Sequence, residues 1–585
     1  MPRHSALTSA ATTASLVLAL ALLATCVPQS ELPPSTPVAQ APAPAPQTQL
    51  ESPLGSYLAG RFARSGKDIE AAADFYAMAL AEDPDNVALL RRTFFLFVAD
   101  GRIDEAMPLA DKVVEQSPRT GMAYLVAALG DFKKGDYESV LERLKAAPGS
   151  GFNTLLVPLL SAWALAAGEH YDAAVAALEA LTETESFASF RAFHGALIHN
   201  FAGRDEAAEA AFREAVEETS GGTQRMIEAF GSFLEQNGRG QEARELYLEY
   251  LERRPDNPVI SDTLARLDKG ISPRALVADP SSGVAEALFD VASALAQDNA
   301  QDAAQNYSRL ALFMQPDLAV ARTLLGELFE GERRWDDAIE TYDEIGRDSP
   351  YGWNARLRVA SALDRVDRTD EAVERLREMA AERSGRIEAL VTLADILRGR
   401  ERYQEAVDAY DSMFERISEL EERHWSLLYA RGIALERSRQ WSRAEADFLH
   451  ALELKPDQPL VLNYLGYSWV EQGDNLERAL GMIEKAVELR PNDGYIVDSL
   501  GWVYYRMGSY VDAVEQLERA VELRPEDPTI NDHLGDAYWR VDRINEARFQ
   551  WLRALSFTPD EELVPAIEAK LKLGLTPREA AKEGS

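Results

Sequence analysis

Residues 495–525 read YIVDSLGWVYYRMGSYVDAVEQLERAVELRP, and the spacing inside that stretch decides the fold. Counting from Gly501, Tyr504 lies three residues on, Ala513 twelve, Leu517 sixteen, Ala520 nineteen and Pro525 twenty-four. The same offsets return from Gly535 as Tyr538, Ala547, Trp551, Ala554 and Pro559, and from Gly432 as Leu435, Ala444, Phe448, Ala451 and Pro456. From Gly60 they give Ala63, Ala72, Tyr76, Ala79 and Pro84; Gly326 and Gly231 open two more units. A single-residue insertion in GDNLERAL delays Ala479, Ala486 and Pro491 by one in the unit opened by Gly466, so the period is about 34 residues. Small residues at Gly501, Ala513 and Ala520 let two antiparallel helices approach closely. Tyr504 and Leu517 are expected to fill the space between them, and Pro525 stops the second helix where the next begins.

This small–aromatic–Ala–aromatic–Ala–Pro pattern resembles the tetratricopeptide repeat, which implies an all-α fold, an α–α superhelix of about fourteen helix–turn–helix units. The resemblance covers most of residues 53–559 and is weakest between about 121 and 222, where Ala128, Ala162, Ala174, Ala196 and Ala208 anchor the frame. One interruption, LARLDKGISPRALVADPSSG, breaks at Gly270 and Pro273. The expected organisation is an N-terminal repeat segment over 53–263, a connector over 264–284 that is either a hinge or a rigid packed link, and a C-terminal repeat segment over 285–559. Within 560–585, DEELVPAIEAKLKLGL can form one amphipathic helix that closes the last open repeat, followed by a tail.

The N-terminus reads differently. Arg3 and His4 precede an uncharged stretch from Ser5 to Ser30 whose apolar heart, SLVLALALLA, has signal-peptide length and is short for a membrane span. Residues 1–25 are therefore expected to direct export. LLATC resembles the lipobox of bacterial lipoproteins, which implies lipid attachment at Cys26, the only cysteine. Thr25 departs from the Gly, Ala or Ser usual at that place, so cleavage to a soluble periplasmic protein is the alternative. Val27 stands where Asp would favour inner-membrane retention, and the resemblance implies the outer membrane, facing the periplasm. Residues 26–52, with repeated Ala-Pro, have no apolar periodicity and suit a semi-stiff tether.

A formal charge of −36 over 585 residues argues against nucleic acid, which needs Lys and Arg massed on one face, and favours protein partners. One cysteine allows no intramolecular disulfide and no Cys-rich metal site. There is no phosphate-binding Gly-rich loop and no His-Glu-x-x-His; His194 and His199 diverge by about 140° on a helix, Ser468 sits mid-helix, and Glu422 with His424 falls in a charge-rich insertion. No catalytic residue, metal site or cofactor is expected. The choice is between an interaction scaffold and a non-catalytic subunit of an enzyme such as one processing peptidoglycan, and the repeats leave no room for a catalytic domain.

The aromatics of the opening stretch sort by face. At about 100° per residue Leu500, Tyr504 and Met507 share the core side, while Tyr495, Asp498, Trp502, Tyr505 and Arg506 form a second stripe nearly opposite. In the next unit that stripe includes Asp532, Asp536, Trp539 and Arg540, and in the previous one Asn463 and Tyr467. In the repeat family this side faces the inner wall of the superhelix, so these eleven residues are the candidate protein-binding groove, aromatics beside Asp and Arg as in interface hot spots. Finally, the run from DGYIVDSLGW to ARFQWLRAL, with the chain length, lipobox and repeat-filled body, resembles a proteobacterial family of lipoprotein adaptors for a periplasmic carboxyl-terminal processing protease. The resemblance implies an outer-membrane adaptor that binds the protease and brings it cell-wall hydrolases. A generic periplasmic repeat protein serving outer-membrane or polysaccharide-export assembly is the alternative.

Overall fold

A computed structural model describes residues 53–183, 187–255 and 257–575. The expected signal peptide, Cys26, the tether and the tail from 576 lie outside the described residues. Within them there are thirty α-helices and no strand. They form fourteen successive antiparallel pairs, one unpaired helix, Pro258–Asp268, after the sixth pair, and a closing helix, Val564–Leu573. The fold is an α–α superhelix.

The turn within each pair shows the repeat more regularly than the side chains do, because each one passes through a left-handed residue, with Asn475 a second one beside Gly473. In the first six pairs these are Lys67, Gly101, Gly135, Glu169, Gly203 and Gly238. In the last eight they are Asn299, Arg333, Asp367, Glu401, Arg439, Gly473, Gly508 and Asp542. Within each group successive members are 34 residues apart, except for 35 before Gly238 and Gly508 and 38 before Arg439, where SELEERH is inserted. Six are glycine, which has no Cβ to clash at positive φ; the others accept strain of about 1 kcal/mol to keep the turn. The register runs unbroken through 121–222, the region with the weakest sequence pattern.

Packing inside a pair follows from the small residues. A Cβ built on Gly535 would lie 2.5 Å from the Trp551 ring, one on Gly432 2.5 Å from Phe448, and one on Gly231 2.2 Å from Tyr247. Each contact joins the first helix to the residue sixteen further on, and the ring meets bare backbone. The flanking alanines, Ala513, Ala520, Ala547 and Ala554 among them, are completely buried. Interiors packed this tightly reject even one added methyl group. Helix starts are set between pairs: Asp493 and Asp527 accept from the backbone N–H groups of Tyr495 and Ile530, and Pro459 and Pro528 occupy first-turn positions where no N–H is needed.

The described chain divides into two compact units, one over residues 53–378 and one over 379–575. In the first, residues 264–284 lie inside the unit. The Pro280–Gln297 helix, begun by a capping box between Asp279 and Ser282, packs across the first helices Asn153–Ala167 and Ala188–Phe201. Gly283 presses on the Trp163 ring, where a Cβ would come within 2.3 Å. The Trp163 indole N–H donates to His194 Nδ1 at 3.1 Å, leaving the His194 Nε2–H for Asp290 at 3.2 Å. Arg225 is enclosed between Glu228, at 2.8 Å, and the wholly buried Glu286, while Tyr351 donates to Glu228 at 2.6 Å. The inner face of these early repeats is thus filled by the chain's own later helices.

Candidate protein-binding groove

In the second unit, among the described residues, no such helix crosses the first helices Pro459–Gln472 and Gly494–Met507, and their inner side carries the aromatic stripe. Trp502 lies at its centre, half-buried, in a three-ring stack. Tyr505 is parallel to it at 4.8 Å and 8° on one side, and His533, from the next first helix, Pro528–Arg540, at 4.0 Å and 14° on the other. Its indole N–H donates to Glu471 of the preceding first helix, which also accepts from Arg506 at 3.2 Å. One side chain therefore ties three successive repeats together while keeping part of its surface open. Arg540 donates to the Tyr505 hydroxyl at 3.3 Å, so that ring is held as well. Tyr467 is half-buried and burial pushes its hydroxyl pKa upward; Asn463, on the same helix, has a buried Oδ1 with no hydrogen-bond partner. Tyr495 stands at the helix start, 5.0 Å beneath Arg524.

The acidic members of the stripe do something else. Asp498 is buried and faces His533 Nδ1 at 3.0 and 3.1 Å. Burial disfavours the imidazolium, but the charge and hydrogen bonding of Asp498 outweigh it, and the His533 pKa is raised. Asp532 and Asp536 are buried against Lys570 of the Val564–Leu573 helix, whose ammonium donates to them at 2.7 and 2.9 Å. Burial raises the Asp536 pKa with Lys570 opposing, and the Lys570 pKa is raised in turn because its two carboxylates outweigh its burial. Trp539 packs 5.4 Å from Trp551 beneath the turn at Gly574. Asp532, Asp536 and Trp539 are therefore packing residues that seat the closing helix, whereas Asn463, Tyr467, Trp502, Tyr505 and Arg506 stay on the open part of the groove. His533 and Lys570 were not among the expected site residues. His533 lies one repeat plus one residue beyond Asp498, an offset that face-by-face reading does not pair.

Tyr504 also differs from expectation. It is half-buried and directs its hydroxyl outward to Glu484 at 3.0 Å, because Leu517 already fills the space opposite Gly501. Among the described residues, no group of His, Cys, Asp or Glu is arranged to hold a metal ion, and no helix is long and apolar enough to cross a membrane.

This groove lies in the part of the chain that matches family models. Residues 501–542 match a model described as TPR repeat and residues 429–494 one described as tetratricopeptide repeat. These are tetratricopeptide repeats. Among curated relatives, the TPR repeat-containing protein PA4667 of Pseudomonas aeruginosa is 29% identical over 194 residues, 33% of this chain and 32% of that protein. The human protein O-mannosyl-transferase TMTC1 is 24% identical over 176 residues, 30% of this chain and 20% of that one. The matched region thus spans about a third or less of each. Solved structures that align include the Cut9–Hcn1 hetero-tetramer of the APC/C, at 15% identity, 90% of this chain, 97% of that chain and a TM-score of 0.35. Yeast Tom70 aligns at 14% identity, 89% and 95% coverage and a TM-score of 0.31. Tetratricopeptide arrays are protein-interaction scaffolds, and residues 429–494 and 501–542 match models of that repeat.

Proposed function

We propose that this chain is a non-catalytic adaptor of the bacterial envelope that captures proteins on the inner face around Trp502. The supporting observation is the Trp502 stack: a large aromatic fixed by Tyr505, His533 and Glu471, half-open, in the stretch of groove that the described helices leave uncovered. A rigid, pre-ordered aromatic loses little freedom on binding, which is what makes Trp, Tyr and Arg the side chains of interface hot spots. Cys26 carries the lipid in this reading, residues 26–52 form the tether, and the outer membrane is the anchorage. The captured proteins are a carboxyl-terminal processing protease and the cell-wall hydrolases it degrades.

The test is capture from envelope extracts by the mature protein, read by mass spectrometry beside a Trp502→Ala variant. Enrichment of a carboxyl-terminal processing protease with the parent protein and its loss with the variant is the expected result. Absence of any such protease from the captured set contradicts the partner assignment. Cys26→Ala is expected to move the protein from the membrane to the soluble fraction; unchanged membrane association contradicts lipidation there.

A further inference from the structure

The first unit holds a cleft of about 700 Å³. Its walls are the first three helices, Pro53–Ser65, Ile69–Glu82 and Val87–Asp100, and, facing them, the Gln301–Met314 helix with the turn at Glu332. In a chain where acids outnumber bases 97 to 61, this cleft reverses the balance. Arg64, Lys67, Arg91, Arg92 and Arg334 line it against two carboxylates, Asp302 and Glu332.

How those charges are engaged matters more than their number. Glu332 accepts from Gln305 at 2.8 Å, and Arg334 is paired with Asp337 at 2.9 Å. Arg92 is fixed by neutral acceptors, the hydroxyls of Tyr57 and Tyr76, each at 3.1 Å, so its position is set while its charge is not cancelled. Among the described residues, none of Arg64, Lys67, Arg91 and Arg92 has a carboxylate within ion-pair distance. Elsewhere in the chain arginines pair with Asp or Glu repeatedly, Arg102 with three and Arg239 and Arg431 with two each. The floor between the cations is apolar: Phe95 is 36% exposed and sits beside Leu96 and the Tyr76 ring.

We propose that this cleft binds an acidic peptide segment of a partner protein, its carboxylates reaching Arg64, Lys67, Arg91 and Arg92 and an apolar side chain resting on Phe95. Charge complementarity selects the occupant: an unneutralised basic cleft with an aromatic floor takes carboxylates on a chain that also carries apolar groups. Nucleic acid and anionic membrane would have to approach a body of net charge −36 along an extended surface, whereas a peptide enters the cleft alone. The site is independent of the Trp502 groove and adds a second point of contact.

Fluorescence anisotropy tests it with a labelled peptide, Glu-Asp-Glu-Phe-Glu-Asp-Glu, beside the same peptide with Gln for Glu and Asn for Asp. The intact protein is expected to bind the acidic peptide at least tenfold more tightly than the neutral one, with affinity falling as salt rises. Arg64→Glu with Arg91→Glu is expected to abolish binding, and Arg64→Gln with Arg91→Gln to weaken it about tenfold. Both positions are exposed, so both variants should melt with the parent. Trp502→Ala is expected to leave this binding unchanged, which separates the cleft from the groove. Equal binding of the two peptides, undiminished binding by the charge-reversed variant, or displacement by inorganic phosphate far below the peptide's own concentration would each overturn the proposal, the last by making the cleft a small-anion site.

Discussion

Lys570 is the residue whose removal has the most calculable effect. Its ammonium lies 2.7 Å from Asp532 and within 2.9 Å of Asp536, with side-chain exposures of 18%, 12% and 7% for the three. Lys570→Met removes the cation and leaves two carboxylates facing each other out of water. Breaking a buried pair by deleting one partner costs about 3–5 kcal/mol, and the partial exposure of Lys570 places this case near 3 kcal/mol. The loss should be local, because each repeat contacts only its neighbours and a long array does not unfold as one unit. Hydrogen exchange over residues 528–573 is therefore the assay, with the early repeats as internal reference. The pH dependence gives a second check. Burial raises the Asp536 pKa and Lys570 opposes it, so without Lys570 the penalty is present at neutral pH and shrinks as pH falls through the raised Asp536 value. Adding Asp532→Asn and Asp536→Asn should restore most of the protection. A loss below about 1 kcal/mol, or a triple variant no better than the single one, would refute the claim that this triad seats the closing helix.

Three further expectations follow from the same physics. Arg225→Met strands the wholly buried Glu286 beside Glu228 and should cost about 3–5 kcal/mol in the first unit, visible as lost exchange protection in the Pro280–Gln297 helix. Gly508→Ala forces a Cβ into a turn with φ 88° and should destabilise its repeat by about 1–2 kcal/mol, while Arg439→Gly, at φ 64°, should stabilise by a few tenths to about 1 kcal/mol in denaturant titrations. His533 has a raised pKa, so its pairing with Asp498 stabilises below the ordinary histidine value and is lost as pH rises through the raised one. Histidine NMR should find its midpoint above about 6.5 and moved down by Asp498→Asn.

The repeat was legible because its determinants are local: Gly501, Gly535 and Gly231 each face a residue sixteen positions on, and that offset is visible in any unit that keeps it. Between 121 and 222 the same architecture is carried by alanines and by the backbone alone. Gly135, Glu169 and Gly203 hold the left-handed turns, but a Glu in that place sends no signal of positive φ. The groove was readable only by face. Trp502 and Trp539 sit on corresponding faces of successive first helices, yet one stays open while the other is covered by the turn at Gly574. That difference depends on the turn after a helix, Val564–Leu573, that lies beyond the whole of the last repeat. Tyr504 departs from the sequence expectation because two residues, Tyr504 and Leu517, compete for one space and the shorter side chain fills it. Nor could the sequence show that the Pro280–Gln297 helix folds back into the early repeats, since the contact is between Gly283 and Trp163, far apart in the chain.

The account stands most directly on what Trp502 does. Affinity for the captured protease should be measured by isothermal titration for the parent protein, Trp502→Ala, and Glu515→Ala, an exposed position on the second helix of the same pair. The account predicts that Trp502→Ala weakens binding at least tenfold, about 1.4 kcal/mol, with the overall helical signal retained, and that Glu515→Ala changes nothing. Equal affinity for the parent protein and Trp502→Ala would contradict it.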